Sequence, residues 1–145
     1  MKGKRIFLLL GLVAALAMTT GVAAAEGKKD LRIVFIPKVI HPWYDVVQDG
    51  ANFAAEELKK IGYNVDVKFD APATADLNEQ VKKIESHISS RPDGLAIACI
   101  DPAANAQIIN DAIAAGINTI TFDTDSPASK RPLYVGPVPY THLRA

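Results

Sequence analysis

Acidic and aromatic side chains lie at the points where apolar segments of the sequence end. Trp43 and Tyr44 follow the first such segment of the presumed mature chain, and Asp123 and Asp125 follow the last. An aromatic ring can stack on the C–H face of a sugar, and carboxylates accept hydrogen bonds from its hydroxyl groups. The combination therefore indicates a site for a neutral polyol. Other polar residues that follow apolar segments are Lys38, His41, Asp70, Thr74, Asp76, Asp101, Asn105, Thr124 and Ser126.

Each of these residues also has an ordinary structural interpretation. Trp43 could belong to the core, and Lys38 could be a solvated loop charge. Asp101 precedes a proline, which is a common way to begin a turn. Asp76 is placed to cap a helix, and Glu79 stands three residues later as in a capping box.

Sequence signatures of enzymes are missing from the chain. The nine glycines are scattered, so neither a dinucleotide fingerprint nor a phosphate-binding loop is present. No Gly-x-Ser-x-Gly elbow occurs, and no spacing supports a triad of Ser126, His41 and Asp123. The three histidines and the single Cys99 show no metal-ligand spacing. We therefore expect no enzymatic activity, no cofactor and no metal.

Hydrophobic periodicity predicts the elements that position the polar residues. Apolar or alternating runs predict four strands, over 31–37, 64–69, 95–100 and 118–122. Apolar residues at steps of three and four predict helices over 44–61, from Leu77 to the Arg91–Pro92 break, and over 103–115. Three consecutive strand–helix–strand units imply one α/β domain with a doubly wound parallel sheet. Ligands of such sheets bind beyond the carboxyl ends of the strands, where the polar residues stand.

The first 25 residues have the pattern of a secretory signal peptide. Three basic residues precede an apolar run over 6–18, and Ala23–Ala25 has the small residues of a signal-peptidase cleavage site. A membrane anchor over 6–25 is the alternative. The chain has 16 basic and 16 acidic side chains, and cleavage after Ala25 would leave 13 basic and 16 acidic, a net charge of −3. We therefore expect an exported, periplasmic protein without affinity for nucleic acid or anionic membranes.

Five segments, taken in order, resemble the type I periplasmic sugar-binding proteins of ABC transporters. These segments are RIVFIPK, HPWYDVVQDGANFAAEEL, FDAPATADLNEQ, DGLAIACIDPAA and AGINTITFDTDSPASKRPLYVG. The similarity runs from Leu31 to Gly136 and is greatest to the ribose-, rhamnose- and autoinducer-2-binding branch. In this family two α/β lobes close on a sugar, and the loaded protein docks on a membrane permease. The resemblance implies a protein that is monomeric when full length.

The resemblance also implies which residues contact the ligand. A lysine after strand one matches the autoinducer-2 type, an aromatic pair matches the ribose type, and a carboxylate after strand four accepts sugar hydroxyls. The residues at these positions and at a nearby turn are Lys38, Trp43, Tyr44, Asp101, Asp123 and Asp125. Thr124 stands where the ribose type has arginine, and His41–Pro42 replaces its asparagine. The sugar therefore stays open among deoxysugars, relatives of pentoses and hexoses, and a furanosyl signal molecule.

The length of the chain predicts only part of such a protein. Residues 26–136 correspond to the N-terminal lobe, and we expect 137–145 to be a non-native or disordered tail. The expected function is capture of a sugar between two lobes and its delivery to a permease. A periplasmic sensor that serves a chemoreceptor or histidine kinase is the alternative, because the same lobes serve signalling.

Overall fold

The strands and helices alternate along the chain. The computed structural model describes residues 30–137. Its strands are β1 (Asp30–Ile36), β2 (Asn64–Phe69), β3 (Gly94–Ile97), β4 (Asn118–Phe122) and β5 (Tyr134–Val135). Its helices are α1 (Pro42–Lys60), α2 (Leu77–Ser90) and α3 (Asn105–Ala114). The strands form one parallel sheet in the order β2-β1-β3-β4-β5, which confirms the predicted α/β class. The predicted signal peptide and residues 138–145 lie outside the described residues.

Both faces of the sheet carry helices. Val34 and Ile36 of β1 pack in a core with Ile84 of α2 and Ile109 of α3. Phe35 points to the opposite face, because successive side chains of a strand alternate, and it packs in a second cluster with Tyr44 of α1. Helix α1 therefore lies on one face of the sheet and helices α2 and α3 lie on the other, so both faces are covered as in a doubly wound sheet.

The strand order reverses between β1 and β3. From β1 the chain crosses to β2 on one side, and it then returns to add β3, β4 and β5 on the other side. In such sheets the crevice at the reversal, beyond the carboxyl ends of the strands, is the usual ligand site. The loops after β1, β3 and β4 meet at this edge.

The first helix begins two residues earlier than the sequence predicts. His41 caps it, since the Trp43 N–H donates to His41 Nδ1 at 3.1 Å. Pro42 occupies the first turn of the helix, where a backbone N–H would have no partner within the helix. Proline is therefore favourable at this position, and the helix begins there. The helix ends at Lys60, and Gly62 takes a positive φ of 92° just beyond it.

The third strand is shorter than predicted and ends at Ile97 instead of Ile100. The Cys99 N–H donates to the Thr124 carbonyl across the loops at 3.1 Å. The Ala98 carbonyl and the Ile100 N–H are bound by the side chain of Gln80. The backbone groups of residues 98–100 named above therefore bond outside the sheet. Strand β3 ends at Ile97 for this reason, although Ala98 and Cys99 are buried as strand residues would be.

Two further differences occur near the end of the sheet. Helix α3 begins at Asn105 rather than at residue 103, because Ala103 and Ala104 form the turn before it. Strand β5 was not predicted, since its two residues are too few for a periodic signal. It pairs Tyr134 with Thr121 and Val135 with Phe122. No helix among residues 30–137 is long and apolar enough to cross a membrane.

Candidate functional site

Lys38 and Asp123 form the centre of the candidate site. Lys38 follows β1 and Asp123 follows β4, with β3 between these strands. The Lys38 Nζ lies 2.8 Å from Asp123 Oδ2 and donates to Thr124 Oγ1, also at 2.8 Å. The Tyr44 hydroxyl donates to the same Asp123 Oδ2 at 2.8 Å. The structure thus brings together four residues from three separate segments.

The backbone of Asp123 is held in a conformation that few side chains adopt. Its φ is +56°, and the Thr124 N–H donates to the Phe122 carbonyl at 2.6 Å, which closes a three-residue turn. The Asp123 N–H donates to the Val135 carbonyl at 3.0 Å, and the Tyr134 hydroxyl donates to the Asp123 carbonyl at 2.8 Å. Strained residues of this kind persist when their surroundings fix them, and they cluster at functional sites.

The two oxygens of the Asp123 carboxylate differ in their partners. Within the part of the chain that the structure describes, Lys38 and Tyr44 both contact Oδ2, and Oδ1 has no bonding partner. A carboxylate oxygen has room for further hydrogen bonds. Because Lys38 balances the negative charge, the pair as a whole is neutral. It is therefore suited to a hydroxyl donor rather than to a charged ligand.

The two aromatic residues differ in what they expose. Half of the Trp43 surface, 50%, is exposed, whereas only 7% of Tyr44 is. Their rings meet edge to face with centroids 4.9 Å apart, and the Tyr44 ring meets that of Phe122 in the same manner at 6.1 Å. Burial, reinforced by the hydrogen bond to Asp123, raises the pKa of Tyr44. Trp43 thus has a surface available for stacking, and Tyr44 holds the carboxylate.

An apolar groove lies beside this pair. Its volume is about 460 Å³, within the range that small-molecule sites occupy. Trp43 and Asp123 both belong to its lining, so the groove adjoins the Lys38–Asp123 pair. The rest of the lining comes from Phe35, Val47, Ile120, Phe122, Val135, Gly136 and Pro137.

Asp125 is bound by groups of the protein itself. Arg131 donates from Nε to Oδ1 at 2.6 Å and from Nη2 to Oδ2 at 2.5 Å, a two-pronged ion pair. Thr121 Oγ1 and the Ser126 N–H also donate to Oδ1, at 2.6 and 2.7 Å. The hydrogen bonds from Arg131 are the main reason that the pKa of Asp125 is lowered to about 2.

Asp101 is exposed and binds the beginning of the turn that leads into α3. Its Oδ1 accepts hydrogen bonds from the N–H groups of Ala103 and Ala104, both at 2.9 Å. Its own N–H donates to Asn105 Oδ1 at 3.1 Å. The sequence-predicted ligand residues therefore divide into a Lys38–Tyr44–Asp123 group, with Trp43 beside it, and two aspartates with local partners.

The carboxylates after β2 have partners other than Lys38 and Asp123. Asp70 contacts Lys83 Nζ at 2.8 Å and His87 Nε2 at 2.7 Å. Partial burial alone would raise the pKa of Asp70, but the hydrogen bonds from Lys83 and His87 lower it. Asp76 caps α2 as predicted, since the Glu79 N–H donates to Asp76 Oδ1 at 2.8 Å. Glu79 does not complete the capping box, because its carboxylate accepts from the Ala73 N–H.

Tyr134 and Arg131 are the site residues that the sequence did not indicate. Tyr134 donates to the Asp123 carbonyl, and Arg131 pairs with Asp125. The short apolar run Leu133–Val135 was the one available sign of a further strand, and no local pattern identified the arginine. Among residues 30–137, no group of three or more His, Cys, Asp or Glu side chains is arranged to hold a metal ion.

The comparison with known proteins gives the family. Residues 33–141 match the family model described as periplasmic binding protein domain. The chain therefore belongs to the periplasmic binding protein family, as the resemblance indicated. Its fold is that of the N-terminal lobe of the type I members.

Solved structures of sugar-binding proteins are similar to this chain. AraP, an arabinose-binding protein from Geobacillus stearothermophilus, is 30% identical with a TM-score of 0.66, over 72% of this chain and 35% of AraP. An ABC transporter solute-binding protein from Burkholderia graminis, in complex with D-arabinose, is 34% identical with a TM-score of 0.66, over 73% and 35%. GanP, a glucose-galactose binding protein from Geobacillus stearothermophilus, is 28% identical with a TM-score of 0.68, over 75% and 38%. The match thus covers little more than a third of each of these three structures.

Proposed function

We propose that this chain is part of an exported sugar-binding protein that delivers a neutral monosaccharide to the permease of an ABC transporter. The observation that carries the proposal is the Lys38–Asp123 pair, with one free carboxylate oxygen beside the half-exposed ring of Trp43. The three similar structures include an arabinose-binding protein, a glucose-galactose binding protein and a complex with D-arabinose.

In this proposal each residue has a separate task. Asp123 Oδ1 accepts a hydrogen bond from a ring hydroxyl, and Trp43 stacks on the C–H face of the sugar. Lys38 donates to a neighbouring ring or hydroxyl oxygen with the N–H that Asp123 and Thr124 leave unused, since an ammonium group has three donors. Tyr44 keeps the carboxylate in orientation. Asp125 supports the loop after β4, because both of its oxygens are bound to the protein, and Asp101 supports the turn before α3 through its Oδ1.

The proposed site is open on one side. The described residues supply one free carboxylate oxygen and one stacking face, which are few contacts for a hydrated sugar. We propose that a second lobe of the full-length protein supplies the facing contacts and closes over the ligand. Residues 30–137 alone are therefore expected to bind sugars with a Kd of about 1 mM or higher. This corresponds to a binding free energy of about −4 kcal/mol or weaker, because few contacts are made.

The proposal is tested with the full-length protein and a panel of neutral sugars. The panel contains D-arabinose, D-ribose, D-glucose, D-galactose and L-rhamnose, and titration calorimetry measures the affinity. One member is expected to bind with a Kd near 1 µM, about −8 kcal/mol. Trp43, the only tryptophan among the 145 residues, is expected to change its fluorescence on binding. Binding of no neutral sugar by the folded protein would contradict the proposal.

Export and transport are tested in cells. Mass spectrometry of the periplasmic protein is expected to show a chain that begins at Glu26, which would establish cleavage of the signal peptide. Deletion of the gene is expected to abolish uptake of the radiolabelled sugar. Unchanged uptake together with loss of a sugar-dependent response would favour the sensor function instead.

A further inference from the structure

A buried amide network lies directly behind the candidate site. Gln80 of α2 and Asn105 of α3 are both fully buried, with no exposed surface. Asn105 Nδ2 donates to Gln80 Oε1 at 3.1 Å, so the two side chains are joined. Burial of an amide is unfavourable unless its polar atoms are hydrogen-bonded. The hydrogen-bond partners of these two side chains therefore indicate which parts of the fold they stabilise.

Gln80 binds the loops after β1 and β3 with both ends of its amide. Its Nε2 donates to the Pro37 carbonyl at 3.2 Å and to the Ala98 carbonyl at 2.8 Å. Its Oε1 accepts from the Ile100 N–H at 3.3 Å. The partners fix the orientation of the amide, since two carbonyls can face only the donor end and an N–H can face only the acceptor end.

Asn105 and a backbone bond extend the network to the remaining loops of the site. Asn105 Oδ1 accepts from the Asp101 N–H at 3.1 Å. The Cys99 N–H, between the two β3-loop groups that Gln80 binds, donates to the Thr124 carbonyl at 3.1 Å. Thr124 is also a partner of Lys38. The buried pair therefore joins the loops after β1 and β3, and the Cys99–Thr124 backbone bond joins the loop after β3 to the loop after β4.

We propose that Gln80 and Asn105 are positioning residues of the sugar site, which hold the loops after β1, β3 and β4 so that Lys38 meets Asp123. Lys38 is the residue directly after the carbonyl that Gln80 binds, and Thr124 is the residue directly after Asp123. The inference rests on the proposed function for the identity of the ligand. The arrangement of the loops does not depend on it and is measured without sugar.

The test compares Gln80→Met in the full-length protein with the unmodified protein and with Gln107→Met. Methionine keeps the volume and removes all four hydrogen bonds. Gln107 is an exposed residue of α3 whose side chain donates to Asp111 Oδ1 at 2.8 Å and, within residues 30–137, has no hydrogen bond to the site loops, so it is the matched control. Amide exchange without sugar is expected to rise about tenfold or more at 98–101 in Gln80→Met and not in the control. A crystal structure of the variant is expected to show Lys38 Nζ beyond bonding distance of Asp123 Oδ2.

The affinity separates positioning from general support of the fold. At a temperature where both proteins are fully folded, the Kd for the panel sugar that the unmodified protein binds is expected to rise about tenfold in Gln80→Met. A lower melting temperature with an unchanged Lys38–Asp123 distance would overturn the inference. An unmodified protein that binds no sugar of the panel would contradict the proposed function alone, because exchange and the crystal distance still decide the positioning role.

A second variant covers the case in which Gln80→Met does not fold. Asn105→Ala removes only the bonds to Gln80 Oε1 and to the Asp101 N–H and leaves the bonds of Gln80 to the two carbonyls. Faster exchange at Asp101 and a displaced Lys38 are expected here as well. Exchange and Lys38–Asp123 distance equal to those of the unmodified protein would overturn the inference.

Discussion

Lys38 and Asp123 meet across the end of β3, with Nζ and Oδ2 2.8 Å apart. Neighbouring strands of a sheet are about 4.8 Å apart, so residues after β1 and β4 are separated by about two such spacings. The long lysine side chain bridges that distance. The carboxylate is thereby paired through Oδ2, while Oδ1 has no partner among residues 30–137, and the proposed sugar site depends on this relationship.

Removal of the Asp123 charge is expected to weaken sugar binding strongly. Asp123→Asn keeps the size of the side chain but replaces a charged acceptor, and hydrogen bonds to charged groups contribute about 1.5–3 kcal/mol. The expected loss of affinity for the bound member of the sugar panel is therefore about tenfold to a hundredfold, measured by calorimetry. Asp66→Asn, at an exposed position of β2, is the control and is expected to bind normally. Equal affinities of the two variants would contradict the assignment.

The ion pair between Arg131 and Asp125 is expected to stabilise the fold above pH 4. The pKa of Asp125 is lowered to about 2 in the folded protein, against an ordinary value of about 4. A depressed folded-state pKa stabilises above the unfolded-state pKa, and this contribution disappears as the pH falls from about 4 to about 2. Arg131→Gln should therefore melt a few degrees lower at pH 6.

The control for this prediction is the effect of Arg131→Gln on the melting temperature in acid. As the pH falls below 4, the difference in melting temperature between Arg131→Gln and the unmodified protein is expected to shrink. Asp70, whose pKa is also lowered, contributes to acid sensitivity in both proteins and cancels from that difference. A constant difference from pH 6 to pH 2.5 would show that the pair does not act through this ionisation.

Tyr44 is expected to resist ionisation in alkaline solution. Its burial, together with its hydrogen bond to Asp123, raises its pKa above the ordinary value of about 10. An unfolded chain would release this proton near pH 10, so the stability of the fold falls as the pH rises beyond that point. Tyr44→Phe should leave the rise in absorbance at 295 nm between pH 9 and pH 11 unchanged. A smaller rise in the variant would show that Tyr44 ionises normally.

Cys99 is expected to be unreactive in the folded protein. It is fully buried, and burial, with a further effect of Asp125, raises the pKa of its thiol to about 12. The reactive thiolate is therefore scarce at neutral pH. Mass spectrometry of the peptide that contains Cys99 should show no alkylation by iodoacetamide in the native protein and complete alkylation in guanidinium. Rapid modification under native conditions would mean that the loop after β3 opens readily.

The sequence by itself determined the fold class and the parallel arrangement of the sheet. Alternating and helical patterns reflect which side chains must be buried, and burial is a local periodicity that a sequence displays directly. The α/β class, the parallel sheet and the edge at which polar residues gather were all predicted from it. The cap at Asp76 was also predicted, because Asp76 and the Glu79 N–H that it binds lie within one helical turn of each other.

Only the tertiary structure decided where β3 ends and which carboxylate is free. The end of β3 depends on Gln80, which reaches it from α2. Asp123 and Asp125 are equivalent in sequence pattern, yet one faces Lys38 and Tyr44 and the other is bound on both oxygens by Arg131. A hydrogen bond or ion pair depends on distances of about 3 Å between residues that are remote in the chain. Residue type and spacing therefore place both aspartates at the same edge of the sheet, and only the packing of distant segments distinguishes the one that we propose as a ligand residue.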